Sequence, residues 1–290
     1  VKRLDQNAVE TYQRDGVIFP VQIFEAWEVE DWYARLETIE AQRAGRLPPS
    51  SNAKPHLLIP WLWDIVHDAR VLDPVEDLLG PDILCWGTSF VIKNIADTRY
   101  VAWHQDATYW GLSEPRAVTV WVAFTPSTPE SGCVRVVPAT HRVTLPHGNS
   151  RDPQNLLGRR ETVLAQFDEA QAVDVVLAPG EASLHDALIL HGSGINRSAH
   201  RRIGFSMRFI PSSVRHTGSE RNSATHVRGR DFGHFELEQR PEGEFHPAAV
   251  ARHSIVLRRA MSTIFATGER PTSAQSGRPA VHPQDDLKAG

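Results

Sequence analysis

The sequence predicts a mainly β domain with flanking helices, and three observations carry that expectation. From residue 82 onward the chain breaks into short apolar runs. They are Ile83 to Ile92, Tyr100 to Asp106, Ala117 to Phe124, Cys133 to Val137, Ala172 to Leu177, Ala182 to Leu184, Ala187 to Leu190 and Ile203 to Ile210. Turn signals fall between them at Ser131-Gly132, Pro179-Gly180 and Gly192-Ser193-Gly194. Before residue 80 the apolar residues recur at helical spacing instead. Many short strands with regular turns point to a sandwich, a barrel or a jelly roll.

Asp5 can cap a first helix, in which Val9, Tyr12 and Gln13 follow at helical spacing. Asp15-Gly16 ends it, and Val17-Ile18-Phe19 opens an apolar strand. Residues 28–43 predict a second helix, with Trp32, Leu36 and Ile39 on one face. Pro48-Pro49-Ser50-Ser51-Asn52 marks a loop. Asp64 to Leu79 predicts a third helical stretch, interrupted at Pro74 and closed by Gly80-Pro81. The stretch 142–171 is polar and loop-like, of the kind that often serves as a lid. Residues 248–265 predict a last helix. The Pro/Gly/Ser/Ala-rich tail 267–290 is expected to be poorly ordered. With no internal repeat and no linker, residues 1–266 read as one domain. Its parts are a helical decoration over 1–80, a β core over 82–212, and a C-terminal cover and helix over 213–266.

The composition narrows the function classes. The chain has 290 residues, 41% hydrophobic and 23% charged, ordinary for a globular protein. That excludes collagen-like, low-complexity and largely disordered classes and leaves enough chain for a core without staples. Lys plus Arg total 31 against 35 Asp plus Glu, a balance that argues against nucleic acid as a partner. No apolar run reaches about 18 residues, so no membrane helix is expected. The polar opening Val1 to Asn7 reads as carrying no signal peptide. Two cysteines, Cys85 and Cys133, lie in apolar stretches and read as buried thiols in a reducing cytoplasm. Histidine stands out at 14 residues, which points toward a His/carboxylate metal site or acid–base chemistry.

Trp103-His104-Gln105-Asp106 is the sharpest local feature. In a strand, residues two apart share a face, so His104 and Asp106 would project together. His191, after the apolar run Leu188-Ile189-Leu190, can add a second imidazole at a strand end. Together they would make a two-His-one-carboxylate set that leaves one side of a metal open. A lone His-x-Asp is a weak signal, since a solvated strand edge looks the same. His234-Phe235-Glu236 has that spacing without apolar flanks and reads as surface. The aromatics Trp103, Tyr109 and Trp110 favour a lined pocket for the first pair, and make Tyr109 and Trp110 candidates for substrate contact.

A second feature follows His191. Residues 197–230 contain eight arginines and one acidic residue, mostly readable as a solvated basic face. Arg202 differs, because it opens the alternating run Arg202 to Phe209. On that run Arg202, Gly204, Ser206 and Arg208 share one face. A guanidinium held inside a β cavity is a bidentate carboxylate receptor.

Four runs occur in order: Trp103 to Trp110, Trp121-Val122-Ala123-Phe124, Ser131 to Pro138, and His191 to Ser198 on to Arg202. With the opening Tyr12-Gln13-Arg14-Asp15-Gly16-Val17, they resemble the phytanoyl-CoA dioxygenase family over about residues 8–212. The resemblance implies a double-stranded β-helix, a cupin-like jelly roll. It implies iron(II), with 2-oxoglutarate and dioxygen as cosubstrates. It places the iron ligands at His104, Asp106 and His191, and the cosubstrate's distal carboxylate at Arg202, eleven residues after His191. Ser193 matches a hydroxyl that meets the same carboxylate, and Lys93 and Trp121 match positions near it. One departure is Ala139-Thr140-His141, where the family commonly shows Gly-Ser-His. Related halogenases carry a small residue at the carboxylate position, so Asp106 favours hydroxylation. The implied enzyme is a cytoplasmic oxidoreductase, a hydroxylase that oxidises an unactivated C–H bond of a small molecule and releases succinate and CO2. Family substrates are diverse, and the sequence carries no signal of substrate identity or oligomeric state. The other class of reading is a cupin-like metal-dependent isomerase or a non-catalytic small-molecule binding protein. An isomerase needs no buried arginine opposite the metal, and a binding protein would not consume 2-oxoglutarate.

Overall fold

The computed structural model describes residues 3–218 and 220–267, with side chains as far as residue 260. The expectation for the tail lies outside that range. The chain opens with α1 (Gln6–Asp15), β1 (Val17–Gln22), α2 (Ala26–Ala41), α3 (Pro60–Val66) and α4 (Ala69–Leu79). Strands follow: β2 (Ile83–Lys93), β3 (Val101–His104), β4 (Val118–Ala123), β5 (Val134–Val137), β6 (His147–Asn149) and β7 (Glu161–Val163). They continue as β8 (Val173–Val175), β9 (Glu181–Asp186), β10 (Leu190–Ser193), β11 (Arg202–Pro211), β12 (Ser223–Arg228) and β13 (Glu236–Leu237), before α5 (Pro247–Thr267). None of the described helices is long and apolar enough to cross a membrane.

Two sheets carry the architecture. The larger runs β1-β9-β4-β11-β2-β12-β13, and the smaller runs β3-β10-β5-β8. The mainly β jelly roll is therefore present, with a separate hairpin of β6 and β7 inside the stretch 142–171. One face of the larger sheet packs under the N-terminal helices. There Val118, Val120 and Val122 join Leu36, Leu62, Val71 and Phe205 in one core cluster. The other face meets the smaller sheet, where Trp121 and Ala123 pack on Val134, Val136 and Ile189. With both faces covered, β4 reads as a continuous apolar run, and all six of its residues are buried.

β11 is also covered on both sides but keeps its alternation. Ile203, Phe205, Met207 and Phe209 enter the helix-side core, and Arg202, Ser206 and Arg208 line a cavity on the other side. Gly204 belongs to that second set for a packing reason. A Cβ there would lie 1.8 Å from the Trp121 ring, so only glycine lets the indole cross the strand.

Local signals hold where chemistry is local. Asp5 accepts from the Ala8 N–H at 2.7 Å, and Gly16 closes α1 with φ +79°. The altered turn keeps its bonds: Thr140 Oγ1 donates to the Val137 carbonyl at 2.6 Å and accepts from the Leu190 N–H at 2.9 Å. Ala139 takes φ +62° there, a left-handed conformation that glycine would adopt without strain.

Several expectations are corrected. The third helical stretch is two helices. It breaks at His67-Asp68, where the Asp68 carboxylate caps α4 by accepting from the Arg70 N–H, and Pro74 sits inside α4. Pro74, the sixth residue of α4, forfeits one backbone bond and fills a buried site. Residues 187–189 form the turn into β10 rather than a strand, so His191 lies within β10. After His104 the chain enters a 3-10 turn over Asp106–Tyr109, so the strand ends before Asp106. Within the basic run after residue 212, β12 pairs with β2 and extends the larger sheet. Its buried residues Ser223, Ala224 and Thr225 are small or polar, so no apolar period announced it. None of the described residues of 213–235 lines the cavity.

Candidate active site: a His-Asp-His cluster facing a buried arginine

Strands β3 and β10 pair antiparallel with His104 directly opposite His191. Their ring centroids are 4.1 Å apart. His104 Nδ1 lies 2.9 Å from the Ala102 carbonyl and His191 Nδ1 lies 3.0 Å from that of Ile189. A carbonyl only accepts, so each Nδ1 carries the proton and each Nε2 of the neutral ring keeps a lone pair. Asp106, delivered by the 3-10 turn, brings Oδ1 to 3.4 Å from His104 Nε2. One ligand atom from each of the three residues falls within 4.8 Å of the others, a set that could hold a metal ion.

Burial and charge set the protonation of this cluster. Burial alone would raise the Asp106 pKa, but Arg208 and the two histidines hold it well below the usual carboxylate range. Burial alone would lower the His104 pKa, yet the adjacent carboxylate raises it. Burial, then the charge of His104, push His191 down to about 3, so its ring is neutral. A cation between the three groups would replace the proton that His104 and Asp106 otherwise attract.

A cavity of about 660 Å³ opens beside the cluster, between the two sheets. Across it lies Arg202, fully buried, with Nε, Nη1 and Nη2 all lacking a hydrogen-bond partner. Its guanidinium sits 5.3 Å from the Trp121 ring centroid, and burial lowers its pKa to about 10, so it stays charged at neutral pH. Lys93 stands opposite Arg202 in the β2–β11 ladder. It is buried too, and its Nζ donates to Ser193 Oγ at 2.6 Å and to the Gly194 carbonyl. Burial, then the charge of Arg202, lower the Lys93 pKa to about 6. Unpaired buried charge is costly, and buried polar groups normally find partners. A buried charged guanidinium with an empty fork, beside a lysine whose ammonium an anion would restore, fits a carboxylate ligand.

The structure thus gathers His104, Asp106, His191, Arg202, Ser193 and Trp121 around one cavity, and Lys93 stands behind that wall, bonded to Ser193 Oγ. It does not bring Tyr109 or Trp110 to the described cavity wall. The 3-10 turn sends Tyr109 toward His147 and Arg159, and Trp110 packs in a cluster with Phe235 and Ile210. The sequence reading missed three residues. His185 lies buried on β9, its ring 5.2 Å from that of His191. Burial lowers its pKa to about 4. Thr119 donates to Asp106 at 3.3 Å. Gln105, fully buried, donates to the Val143 and Leu188 carbonyls and accepts from the Leu145 N–H, so it pins the hairpin segment to the residue between two candidate ligands. Ser183 and His185, two polar residues on one face of an apolar strand, were the available signal for that histidine.

The phytanoyl-CoA dioxygenase family model matches residues 12–204. The chain belongs to the phytanoyl-CoA dioxygenase family. It is accordingly an iron(II)- and 2-oxoglutarate-dependent oxygenase, and the donor set and the open arginine fork described above suit that family's two groups. Among solved structures, the non-heme monooxygenase ThoJ in its apo form is 34% identical with a TM-score of 0.80, covering 90% of this chain and 98% of that one. CytC3 with Fe(II) and alpha-ketoglutarate is 25% identical with a TM-score of 0.61, covering 84% of this chain and 96% of that one. An ectoine dioxygenase of Nocardia farcinica is 24% identical over 253 residues, 77% of this chain and 84% of the relative.

Proposed function

We propose that this oxygenase hydroxylates an unactivated C–H bond of a small molecule, with His104, Asp106 and His191 as its iron ligands. In this reading the two histidines bind through Nε2, and Arg202, with Lys93 and Ser193, receives the distal carboxylate of 2-oxoglutarate. The observation that carries it is the partnerless, fully buried guanidinium of Arg202 in the same cavity as the His-Asp-His set. Bound iron(II), with 2-oxoglutarate and dioxygen, supplies the oxidising chemistry and releases succinate and CO2. The chain's own residues do the rest. The carbonyls of Ala102 and Ile189 fix both imidazole tautomers. The Trp121 face flanks the guanidinium and keeps it dry. Leu47, Phe90, Leu156 and Leu157 supply apolar wall that can exclude water around a small substrate. The ectoine dioxygenase relatives favour a small-molecule substrate, and Asp106, a carboxylate rather than a small residue, favours hydroxylation.

Anaerobic addition of iron(II) and then 2-oxoglutarate tests this reading. A weak visible charge-transfer band is expected for the wild-type chain and should be absent from Asp106→Ala, which should also lose 2-oxoglutarate-dependent turnover. An isomerase or a binding protein would show no band and no succinate.

A further inference from the structure

Asp106 offers two oxygens, and its surroundings treat them differently. Oδ1 faces His104, 3.4 Å from Nε2. Oδ2 faces the larger sheet, where Thr119 Oγ1 donates to it at 3.3 Å from β4 and Arg208 Nε lies 3.7 Å away on β11. Arg208 is itself fixed: Nη1 donates to Ser89 Oγ at 3.1 Å, and its guanidinium lies 6.0 Å from the Trp110 ring centroid. One oxygen is thus left toward the histidines, and two groups of the opposite sheet hold the other.

We propose that Arg208 and Thr119 are positioning residues that restrict Asp106 to a one-oxygen grip on the metal. The inference rests on the ligand reading above. A carboxylate can bind a metal through one oxygen or through both. A His-Asp-His set works by leaving positions open, and a second carboxylate oxygen would fill one of them. Turning Oδ2 toward the metal would cost it the Thr119 hydrogen bond and the Arg208 charge. Groups that orient a metal ligand are typically worth about 10- to 100-fold in metal affinity or activity, and here that loss should fall on the cosubstrate that uses the open positions rather than on the metal. Arg208 shares a strand face with Arg202 and lines the same cavity, and its Nε is turned to the internal carboxylate of Asp106.

This role differs in sign from plain electrostatics. A guanidinium beside a divalent cation repels it, so its removal should not weaken the metal. What should weaken is the cosubstrate, which needs the positions that a two-oxygen grip would invade.

Anaerobic titration of iron(II), then 2-oxoglutarate, separates these effects in the wild-type chain, Arg208→Met, Arg208→Lys and Thr119→Val, with circular dichroism melts to check folding. Arg208→Met is expected to hold iron(II) at least as tightly as wild type, yet to need about 10- to 100-fold more 2-oxoglutarate to develop the charge-transfer band. Thr119→Val should need a few-fold more, on the order of 3-fold, having lost one neutral donor. Arg208→Lys should fall between Arg208→Met and wild type, since an ammonium can serve Oδ2 without the fork that also meets Ser89. Arg208→Met titrating like wild type overturns the proposal, as does a folded Arg208→Met that loses iron and 2-oxoglutarate alike. Should Arg208→Met fail to fold, Thr119→Val decides, and an unchanged 2-oxoglutarate titration overturns it. A wild-type chain without any band overturns the ligand reading and this inference with it. A wild-type band with unchanged variants overturns this inference alone.

Discussion

Lys54, His56 and Glu238 form one buried ionic cluster beside β2, and Lys93 and Arg202 form another at the end of the same strand. The first is closed on itself. Glu238 accepts from Lys54 Nζ at 2.5 Å, from Ser223 Oγ at 2.7 Å and from Thr225 Oγ1 at 2.6 Å. His56 lies between the hydroxyls of Thr88 and Thr225, at 2.7 and 2.9 Å. Burial alone would raise the Glu238 pKa, but Lys54 and His56 hold it well below the carboxylate range. The second pairs a lysine of depressed pKa with a guanidinium that has no hydrogen-bond partner at all. Burial by itself therefore does not mark function. A saturated buried network ties distant segments together, here residues 54–56 to 238, whereas an unsaturated one is shaped for a ligand.

Four measurements can break or sharpen that contrast. Glu238→Ala should have the largest effect on stability, about 3–5 kcal/mol by urea unfolding, because it strands Lys54 in the interior. The same variant should bind 2-oxoglutarate as wild type does. A shift in that binding would mean the two clusters are coupled.

Arg202→Ala should do the reverse. Losing one member of a buried charged contact costs about 2–5 kcal/mol, or roughly 30- to several-thousand-fold in 2-oxoglutarate affinity. Unfolding of the ligand-free chain should be unchanged or shifted to higher urea, since an unpartnered buried charge is removed. Arg202→Lys should rescue binding only in part. A loss of stability in the ligand-free Arg202→Ala chain would show that the fork is structural.

Lys93 gives the contrast a pH dependence. Its pKa falls to about 6 in the folded chain, against about 10.4 in an unfolded one. Between those values the unfolded chain binds the extra proton, so stability contributed at this site rises with pH across the window. A dianion beside Lys93 and Arg202 would restore the ammonium, so 2-oxoglutarate binding should take up close to one proton at about pH 8. Calorimetric titrations in two buffers of different protonation heat would read that uptake, and Lys93→Met should abolish it. Equal heats for both chains would remove Lys93 from the anion site.

Arg201 supplies the smallest effect. It adjoins Arg202 in sequence, yet its guanidinium meets both Glu40 oxygens, at 2.9 and 3.0 Å. Arg201→Ala should cost about 1–3 kcal/mol of stability, because Arg201 is partly exposed but the Glu40 it leaves unpaired is buried. It should leave the 2-oxoglutarate titration unmoved. Were Arg201→Ala the variant that loses 2-oxoglutarate, the strand register would be off by one residue.

Much of the site was legible because its residues sit on short, regular patterns. The alternation from Arg202 to Phe209 placed Arg202, Ser206 and Arg208 on one face, and β11 keeps that register against β2 and β4. His104 and His191 stood at the ends of recognisable apolar runs. The geometry assumed for Asp106 was different: the strand stops at His104, and a 3-10 turn delivers the carboxylate. That same turn removes Tyr109 and Trp110 from the cavity wall, a consequence that aromatic flanks alone could not reveal. β12 escaped notice because its buried face is Ser223 and Thr225, which serve Glu238 rather than an apolar core.

By itself, the sequence determined what neighbouring residues decide: the Asp5 cap, the left-handed Gly16, the strand alternation around Arg202, and the residue types able to bind a divalent cation. Only the tertiary structure decided which distant groups meet. It set His104 opposite His191 across the β3–β10 ladder, gave Oδ2 of Asp106 to Thr119 and Arg208, hooked Gln105 onto the 142–171 segment, and left Arg202 without a partner. The physical reason is range. Caps and pleats follow from backbone geometry over a few residues, whereas the satisfaction of a buried charge depends on every element packed against it.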